Sequence, residues 1–196
     1  MPLVISHSLP NGARLGVWRM NEDASSFPAL YEEAEARFKS SSRRKEYVCV
    51  RALLREMNNG VMPVISHEPS GKPVLEDGTR VSISHTKDYC AVIVSDKHDV
   101  GVDIEYVSDR VGRIAHRFLR ADEPFSDITS QLICWCAKEA VYKLFSDDDL
   151  LFEEMFVEPF EARDAGVLMV RNLKKGAVAE VSYHVTSDYV LAYSVW

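Results

Sequence analysis

The segment GVDIE, residues 101–105, contains the residues best suited to chemistry. Side chains of a strand alternate between its two faces, so Asp103 and Glu105 share one face while Val102 and Ile104 share the other. Two carboxylates about 7 Å apart repel each other unless a cation lies between them. The pattern therefore indicates a cation site. The alternative is a strand with one solvated face.

A further candidate carboxylate, Glu139, lies in QLICWCAKEAVYKLF, residues 131–145, whose apolar residues recur at helical spacing. Its apolar stripe predicts a largely buried helix, and that stripe consists of Ile133, Ala137, Ala140, Val141 and Leu144. A different stripe contains Trp135, Glu139 and Lys143. In a sheltered place Glu139 could bind a metal and Lys143 could bind phosphate, since unpaired buried charges are costly. A simple Glu–Lys helical pair is the alternative. We expect no cationic side chain between the three carboxylates Asp103, Glu105 and Glu139.

His85 lies at the predicted end of a strand, beside Ser84 in the segment SISHT, residues 82–86. Next to a phosphate it would act as a donor, because histidine changes its charge near neutral pH. A histidine at a turn can equally be an ordinary surface residue.

Basic residues form two further candidate sites. Arg44, Arg51 and Arg55 fall on nearly one line of the helix predicted for residues 43–57, which suggests an anion site or a solvated face. Lys72 belongs to the rigid GKP turn, residues 71–73, and could line the same site.

The segment 110–120 is predicted to form an amphipathic helix with one apolar and one basic face. The basic face contains Arg113, His116, Arg117 and Arg120. An acidic partner protein would recognise such a face. Plain solvation is again the alternative.

Composition excludes several classes of protein. The chain has 196 residues and a net charge of −7, which does not favour nucleic acid or an anionic membrane. No GxGxxG, GxxxxGK[ST], HExxH or paired CxxC motif occurs. The four cysteines lie among apolar neighbours, so we expect buried, reduced thiols. The first residues lack the features of a signal peptide, and we expect a cytoplasmic monomer. The run Asp147–Asp149 reads as a solvated loop.

The order of elements and a faint internal repeat predict an α+β fold of two similar halves, residues 1–98 and 99–196. Strands are expected at 12–20, 80–85, 89–95, 100–105 and near 152–160, helices at 28–39, 43–57, 110–120 and 128–145, and loop at 61–80. VSISHTKDYCAVIV at 81–94 and VSYHVTSDYVLAYS at 181–194 share Val-Ser and Asp-Tyr at an offset of 100 residues. Chance similarity of two hairpins is the alternative to a repeat.

Together these motifs resemble the 4′-phosphopantetheinyl transferases, in particular the larger single-chain, surfactin-synthetase-activating type. That family has a G-[VI]-D-x-E strand, a W-x-x-K-E-[SA]-x-x-K helix, a GKP turn, a Ser-His turn and an R-x-L-L helix. The chain has GVDIE at 101–105, WCAKEAVYK at 135–143, GKP at 71–73, Ser84-His85 and RALL at 51–54. The spacing from Asp103 to Trp135 is shorter than is usual in the family.

The resemblance implies transfer of the 4′-phosphopantetheine group of coenzyme A to a serine of an apo acyl or peptidyl carrier protein, with release of 3′,5′-ADP. It also implies that the active site lies in the cleft between the two halves, and that Mg²⁺, or Mn²⁺, is bound there by Asp103, Glu105 and Glu139. The implied contacts to coenzyme A involve Arg44, Arg51, Lys72, Ser84, His85 and Lys143. Glu139, Lys143 and His85 are implied in catalysis, and Arg113, Arg117 and Arg120 in carrier docking.

Two other functions stay open from the sequence. One is a different Mg²⁺-dependent phosphoryl-transfer enzyme that uses the same carboxylates. The other is an inactive relative that only binds coenzyme A or a carrier protein.

Overall fold

Two antiparallel β-sheets form the centre of the molecule in the computed structural model, which describes residues 3–21 and 24–196. The first sheet has the order β1-β2-β6-β5-β4-β3. Its strands are β1 (Leu3–Ser8), β2 (Arg14–Arg19), β3 (Ile65–His67), β4 (Pro73–Leu75), β5 (Arg80–Thr86) and β6 (Tyr89–Ser95).

The second sheet has the order β7-β11-β10-β9-β8. Its strands are β7 (Val100–Tyr106), β8 (Met155–Val157), β9 (Ala165–Asn172), β10 (Ala177–Val185) and β11 (Tyr189–Val195). Because β7 is an edge strand, one of its sides is free to contact the first sheet.

The described residues form four α-helices, α1 (Pro28–Arg37), α2 (Ser41–Met57), α3 (Arg110–Phe118) and α4 (Ile128–Leu144). Pro28 begins α1, where its missing N–H costs nothing. Asp127 caps the N-terminus of α4, because its side chain accepts a hydrogen bond from Ser130 N at 2.9 Å. None of these helices is long and apolar enough to cross a membrane.

The two sheets pack face to face, and a helix covers the outer face of each. The shared interior contains Leu15, Ile93, Val102, Ile104 and Leu191. Leu53 and Leu54 of α2 pack on the other face of the first sheet. Alternation along each strand thus gives both sheets two buried faces.

Helix α4 lies directly on β7. A Cβ atom added at Gly101 would come 2.0 Å from Ala140 O, so no larger residue fits without displacing the helix. This close approach places the Glu139 and Lys143 stripe beside Asp103 and Glu105.

The two-halves architecture predicted from the internal similarity is confirmed. The related segments form corresponding hairpins, β5–β6 and β10–β11. In each hairpin a tyrosine follows the turn, and these two tyrosines are in contact. The ring centroids of Tyr89 and Tyr189 are 4.7 Å apart, and Tyr89 Oη donates to Asp188 Oδ2 at 2.7 Å. The division into domains at residue 98 stays a prediction.

Several predicted elements are corrected. Helix α3 ends at Phe118, so Arg120 lies in the following loop. Residues 61–80 contain the two short strands β3 and β4, and the segment 152–160 contains a 3₁₀ turn, Phe152–Glu154, followed by the short strand β8. Strand β1 was not predicted.

The Asp147–Asp149 run is solvated only in part. Asp147 and Asp149 are exposed, but Asp148 is buried, accepts from Asn172 Nδ2 at 2.8 Å and pairs with Lys175. All four cysteines are buried and form no disulfide bond among the described residues, as predicted.

Candidate active site

Asp103 is the most deeply buried of the predicted carboxylates, with 4% of its surface exposed. Its Oδ1 accepts hydrogen bonds from Lys143 Nζ and from Ser84 Oγ, both at 2.8 Å. Lys143 Nζ also donates to Val102 O at 2.9 Å. The expectation that no cationic side chain lies between the carboxylates is therefore wrong, because α4 brings the Lys143 ammonium onto Asp103.

The second oxygen of Asp103, Oδ2, lacks a strong partner. It is buried and has no hydrogen-bond partner within the described part of the chain. A buried carboxylate oxygen without a donor is costly. The position is therefore suited to a cation.

Glu105 is held by two donors. Thr86 Oγ1 donates to its Oε2 at 3.1 Å, and Trp135 Nε1 donates to its Oε1 at 3.4 Å. Burial raises the pKa of Glu105, and the charge of Asp103 raises it further. No sequence motif assigns such a role to Thr86 or Trp135, although strand periodicity puts Thr86 on the same face as Ser82 and Ser84.

Glu139 is half-buried one helical turn before Lys143. Burial raises its pKa to about 7; the Asp103 charge adds to this rise, Lys143 opposes it, and Glu105 adds a smaller contribution. A carboxyl group with such a pKa can gain or lose a proton near neutral pH.

Hydroxyl groups of β5 join the free edge of β7. Ser82 Oγ accepts from Val102 N at 3.1 Å, and Thr86 Oγ1 accepts from Tyr106 N at 3.2 Å. These backbone groups have no strand partner on that side, so the hydroxyls satisfy buried donors. The same row of side chains orients the β7 carboxylates.

The carboxylates do not form a ready-made metal cluster. Across residues 3–21 and 24–196, no three His, Cys, Asp or Glu side chains are close enough together to hold an ion. The charges of Asp103 and Glu105 nevertheless both raise the pKa of Glu139, and Oδ2 of Asp103 lacks a strong donor. A hard divalent cation would relieve both conditions once the side chains approach more closely, so the donor set fits Mg²⁺.

A cleft of about 250 Å³ lies between the GKP turn, β5 and the end of α4. Lys72 and Lys143 line it from opposite sides, together with Ser82 and Tyr142. Lys72 crosses between the halves, donating to Asp99 Oδ1 at 3.2 Å and to Leu144 O at 3.3 Å. The cleft is therefore both basic and adjacent to the acidic cluster.

The adjacent residues Ser84 and His85 point to opposite faces of the first sheet. Ser84 faces Asp103, whereas His85 Nε2 lies 3.6 Å from Glu46 Oε2 on α2. Strand β5 pairs with β4 through the single pair Val74↔Arg80 among the described strands. No other residue of β5 pairs with β4 within the described ranges, and Val81, Ser82 and Ile83 line the cleft.

Three arginines of α2 were predicted to bind an anion. Arg44 and Arg51 lie near α1, whereas Arg55 Nε donates to Gly60 O at 2.9 Å, just beyond the end of α2. The Arg51 guanidinium lies 3.4 Å from the centre of the Tyr47 ring, and burial lowers its pKa. Arg44 Nε donates to Phe38 O at 2.8 Å and Nη1 to Glu35 Oε1 at 3.1 Å, which ties α2 to α1.

The predicted docking residues divide into free and engaged side chains. Arg113, His116 and Arg117 are exposed on α3. Arg120 instead makes two hydrogen bonds to Asp122, at 2.9 and 3.0 Å, and contacts Glu153 O.

Two family models match this arrangement of halves. The N-terminal domain of 4′-phosphopantetheinyl transferases matches residues 32–95, and the 4′-phosphopantetheinyl transferase superfamily matches residues 99–194. The two matches cover most of the chain, one on each sheet. The chain therefore belongs to the 4′-phosphopantetheinyl transferase superfamily. No curated protein matches it. Membership of the surfactin-synthetase-activating type stays a prediction.

The raised pKa of Glu139 predicts a pH-dependent stability in metal-free protein. Between about 4.5 and about 7 the folded state holds a proton that the unfolded state has lost, so stability falls as pH rises through this window. Glu139→Gln should remove this loss. In urea unfolding from pH 4 to 8, the free energy of unfolding of the variant should therefore increase relative to that of wild type as pH rises.

The exposed Glu161 provides the matched control, since its side chain is 87% exposed. Glu161→Gln should follow the wild-type pH profile. A constant difference between Glu139→Gln and wild type across the window would show that Glu139 has an ordinary pKa.

Proposed function

We propose that the chain transfers the 4′-phosphopantetheine group of coenzyme A to a serine hydroxyl of an apo acyl or peptidyl carrier protein. The observation that carries the proposal is the meeting of Asp103, Glu105, Glu139 and Lys143 at the junction of the two halves. Carboxylates beside a cation and a basic cleft suit a pyrophosphate that must be bound and cleaved.

Asp103, Glu105 and Glu139 would hold Mg²⁺, with Mn²⁺ as a substitute. When bound, the ion would neutralise negative charge on the pyrophosphate oxygens. Lys143 would bind the same pyrophosphate from α4, since its side chain is 26% exposed and its ammonium group already contacts Asp103.

Glu139 would act as the general base for the carrier serine, directly or through a water molecule. The serine oxygen forms a bond to the β-phosphorus, the bond from that phosphorus to the leaving 3′,5′-ADP breaks, and the serine proton passes to Glu139. In the metal-free protein the pKa of Glu139 is about 7, near the pH at which a base is most effective. A bound cation would lower that pKa, so Glu139 would be ionised and able to accept the serine proton.

The nucleotide part of coenzyme A would occupy the cleft and cross the edge of β5. Lys72 and Ser84 would then lie on one side of the strand, with His85 on the other. Arg51 is the stronger candidate for the 3′-phosphate, because the donors of Arg44 already serve α1.

Mass spectrometry of an apo carrier protein tests this function. After incubation with coenzyme A and Mg²⁺, the carrier should gain the mass of one phosphopantetheine. Excess chelator should abolish the gain, and Mg²⁺ or Mn²⁺ should restore it. Asp103→Asn should lose most of the rate, because the variant lacks a charge for the ion, whereas Asp164→Asn at an exposed site should not.

The outcomes separate the open alternatives. Binding of coenzyme A without any mass gain would indicate an inactive relative. Cleavage of coenzyme A without carrier modification would indicate another phosphoryl-transfer enzyme. Full activity in excess chelator would rule out the metal.

Arg51 gives a prediction about coenzyme A recognition. If Arg51 binds the 3′-phosphate, Arg51→Ala should weaken coenzyme A but hardly affect 3′-dephospho-coenzyme A. A lost charge-assisted hydrogen bond costs about 1.5–3 kcal/mol, or roughly ten- to hundredfold in Kd by calorimetric titration. Arg55→Ala on the same helix is the control. If Arg51→Ala weakens the binding of both ligands equally, Arg51 contacts another part of the ligand or has only a structural role.

The exposed face of α3 gives a prediction about the carrier. Reversing Arg113 and Arg117 to glutamate should raise the KM for an acidic carrier roughly tenfold at low salt, because exposed charges guide encounter. The Kd for coenzyme A should stay unchanged, and the effect should shrink as salt screens the charges. Arg120 is left intact, since Asp122 already holds it.

Arg163 and Arg171 serve as the control pair, because both are exposed and lie in or just before β9, which is separated from β7 by β10 and β11. Their reversal changes the net charge equally and should leave the carrier KM unaltered. If both pairs raise KM alike, the α3 face has no specific docking role.

A further inference from the structure

Lys138 is fully buried next to Glu139, yet it faces away from the carboxylates. Its Nζ donates to Phe118 O and to Glu123 Oε2, both at 2.7 Å, and to Phe152 O at 3.3 Å. An ammonium has three N–H groups, so all of its donors are used.

Glu123 completes the contact from the other side. Both side chains of this ion pair are 0% exposed. Glu123 Oε1 accepts from Val157 N at 2.7 Å, and Oε2 accepts from Arg120 N at 2.8 Å. The pair therefore joins α4 to the end of α3, the loop that follows it, the 152–154 turn and β8.

Aromatic packing connects the same region to the acidic cluster. The Phe118 and Trp135 ring centroids are 5.1 Å apart, and those of Trp135 and Phe152 are 5.3 Å apart. Trp135 in turn donates to Glu105. The end of α3 is thus fixed against the side chain that holds a predicted metal ligand.

A buried ion pair is weak evidence for stability, because apolar residues often fill such a site equally well. Here the pair binds backbone atoms of several separate segments, which an apolar pair could not do. Its particular contribution is to fix where those segments lie relative to α4.

We infer that the Lys138–Glu123 pair is a positioning device that sets the distance between the carrier-docking face of α3 and Glu139. This inference rests on the proposed function, because it takes α3 as the docking helix and Glu139 as the base. Lys138 and Glu139 are adjacent in the chain, so the residue that anchors α3 and the residue that acts on serine share one rigid helix.

The inference predicts a kinetic signature different from that of the α3 charges. With the pair removed, Arg113 and Arg117 stay exposed, so the carrier still docks. Its serine is then misplaced relative to Glu139, and a displacement of about 1 Å can cost a hundredfold in rate. Thus kcat should fall while KM for the carrier changes little.

The test uses Lys138→Met combined with Glu123→Gln in the full chain. The variant glutamine can still accept from one backbone N–H and donate to one carbonyl group, and methionine fills the space without a charge. We expect kcat for an acidic carrier to fall at least about tenfold, with carrier KM and coenzyme A Kd within about twofold of wild type. Thermal unfolding must show a folded variant at the assay temperature.

Two further variants keep the test decisive. Glu123→Asp keeps the charge and shortens the side chain, so it should fold and show a smaller fall in kcat. Asp148→Asn is the matched control, because it weakens another buried polar contact of the second half without touching α3.

Each outcome bears on the inference. Normal kcat in folded Lys138→Met/Glu123→Gln or Glu123→Asp protein would overturn it, as would an equal loss in Asp148→Asn. A rise in carrier KM with unchanged kcat would show that the pair shapes the docking face itself and would also overturn it. Wild-type protein that modifies no carrier would instead refute the proposed function.

Discussion

The contact between the free edge of β7 and the hydroxyl row of β5 is the constraint on which the rest of the structure depends. An edge strand packed between two halves has backbone donors that need partners away from water. Ser82 and Thr86 satisfy the N–H groups of Val102 and Tyr106. Because Ser84 and Thr86 also bind Asp103 and Glu105, the joint that assembles the halves also orients the acidic side chains.

The second sheet adds charges that would be unfavourable in isolation. Burial raises the pKa of Glu105 and of Glu139, and the charge of the buried Asp103 raises both further. Lys143 offsets part of the repulsion from α4, which the small residue Gly101 allows to lie against β7. The site is therefore suited to a cation or a phosphate group. Binding of such a ligand would change the protonation of Glu105 and Glu139.

Much of this arrangement could be predicted from local patterns. Alternation along β7 puts Asp103 and Glu105 on one face, and helical spacing puts Trp135, Glu139 and Lys143 on one stripe. Both follow from the fixed periods of strand and helix. The two-residue period of a strand also predicts that Ser84 and His85 face opposite sides of the sheet and that Thr86 lies on the same face as Ser84. The Ser-His motif, which treats the adjacent pair as one unit, hides this difference.

Four features could be predicted from the sequence: the α+β class, the two related halves, the family resemblance and the candidate carboxylates. Each depends only on short-range periodicity or on contiguous motifs. Tertiary structure alone decided that Lys143 pairs with Asp103, that Lys138 pairs with Glu123 and that Asp148 is buried against Asn172. Partners separated by 15 to 40 residues meet only when sheets and helices pack. Since a buried charge must find its counter-charge wherever packing places one, no local pattern specifies the pair.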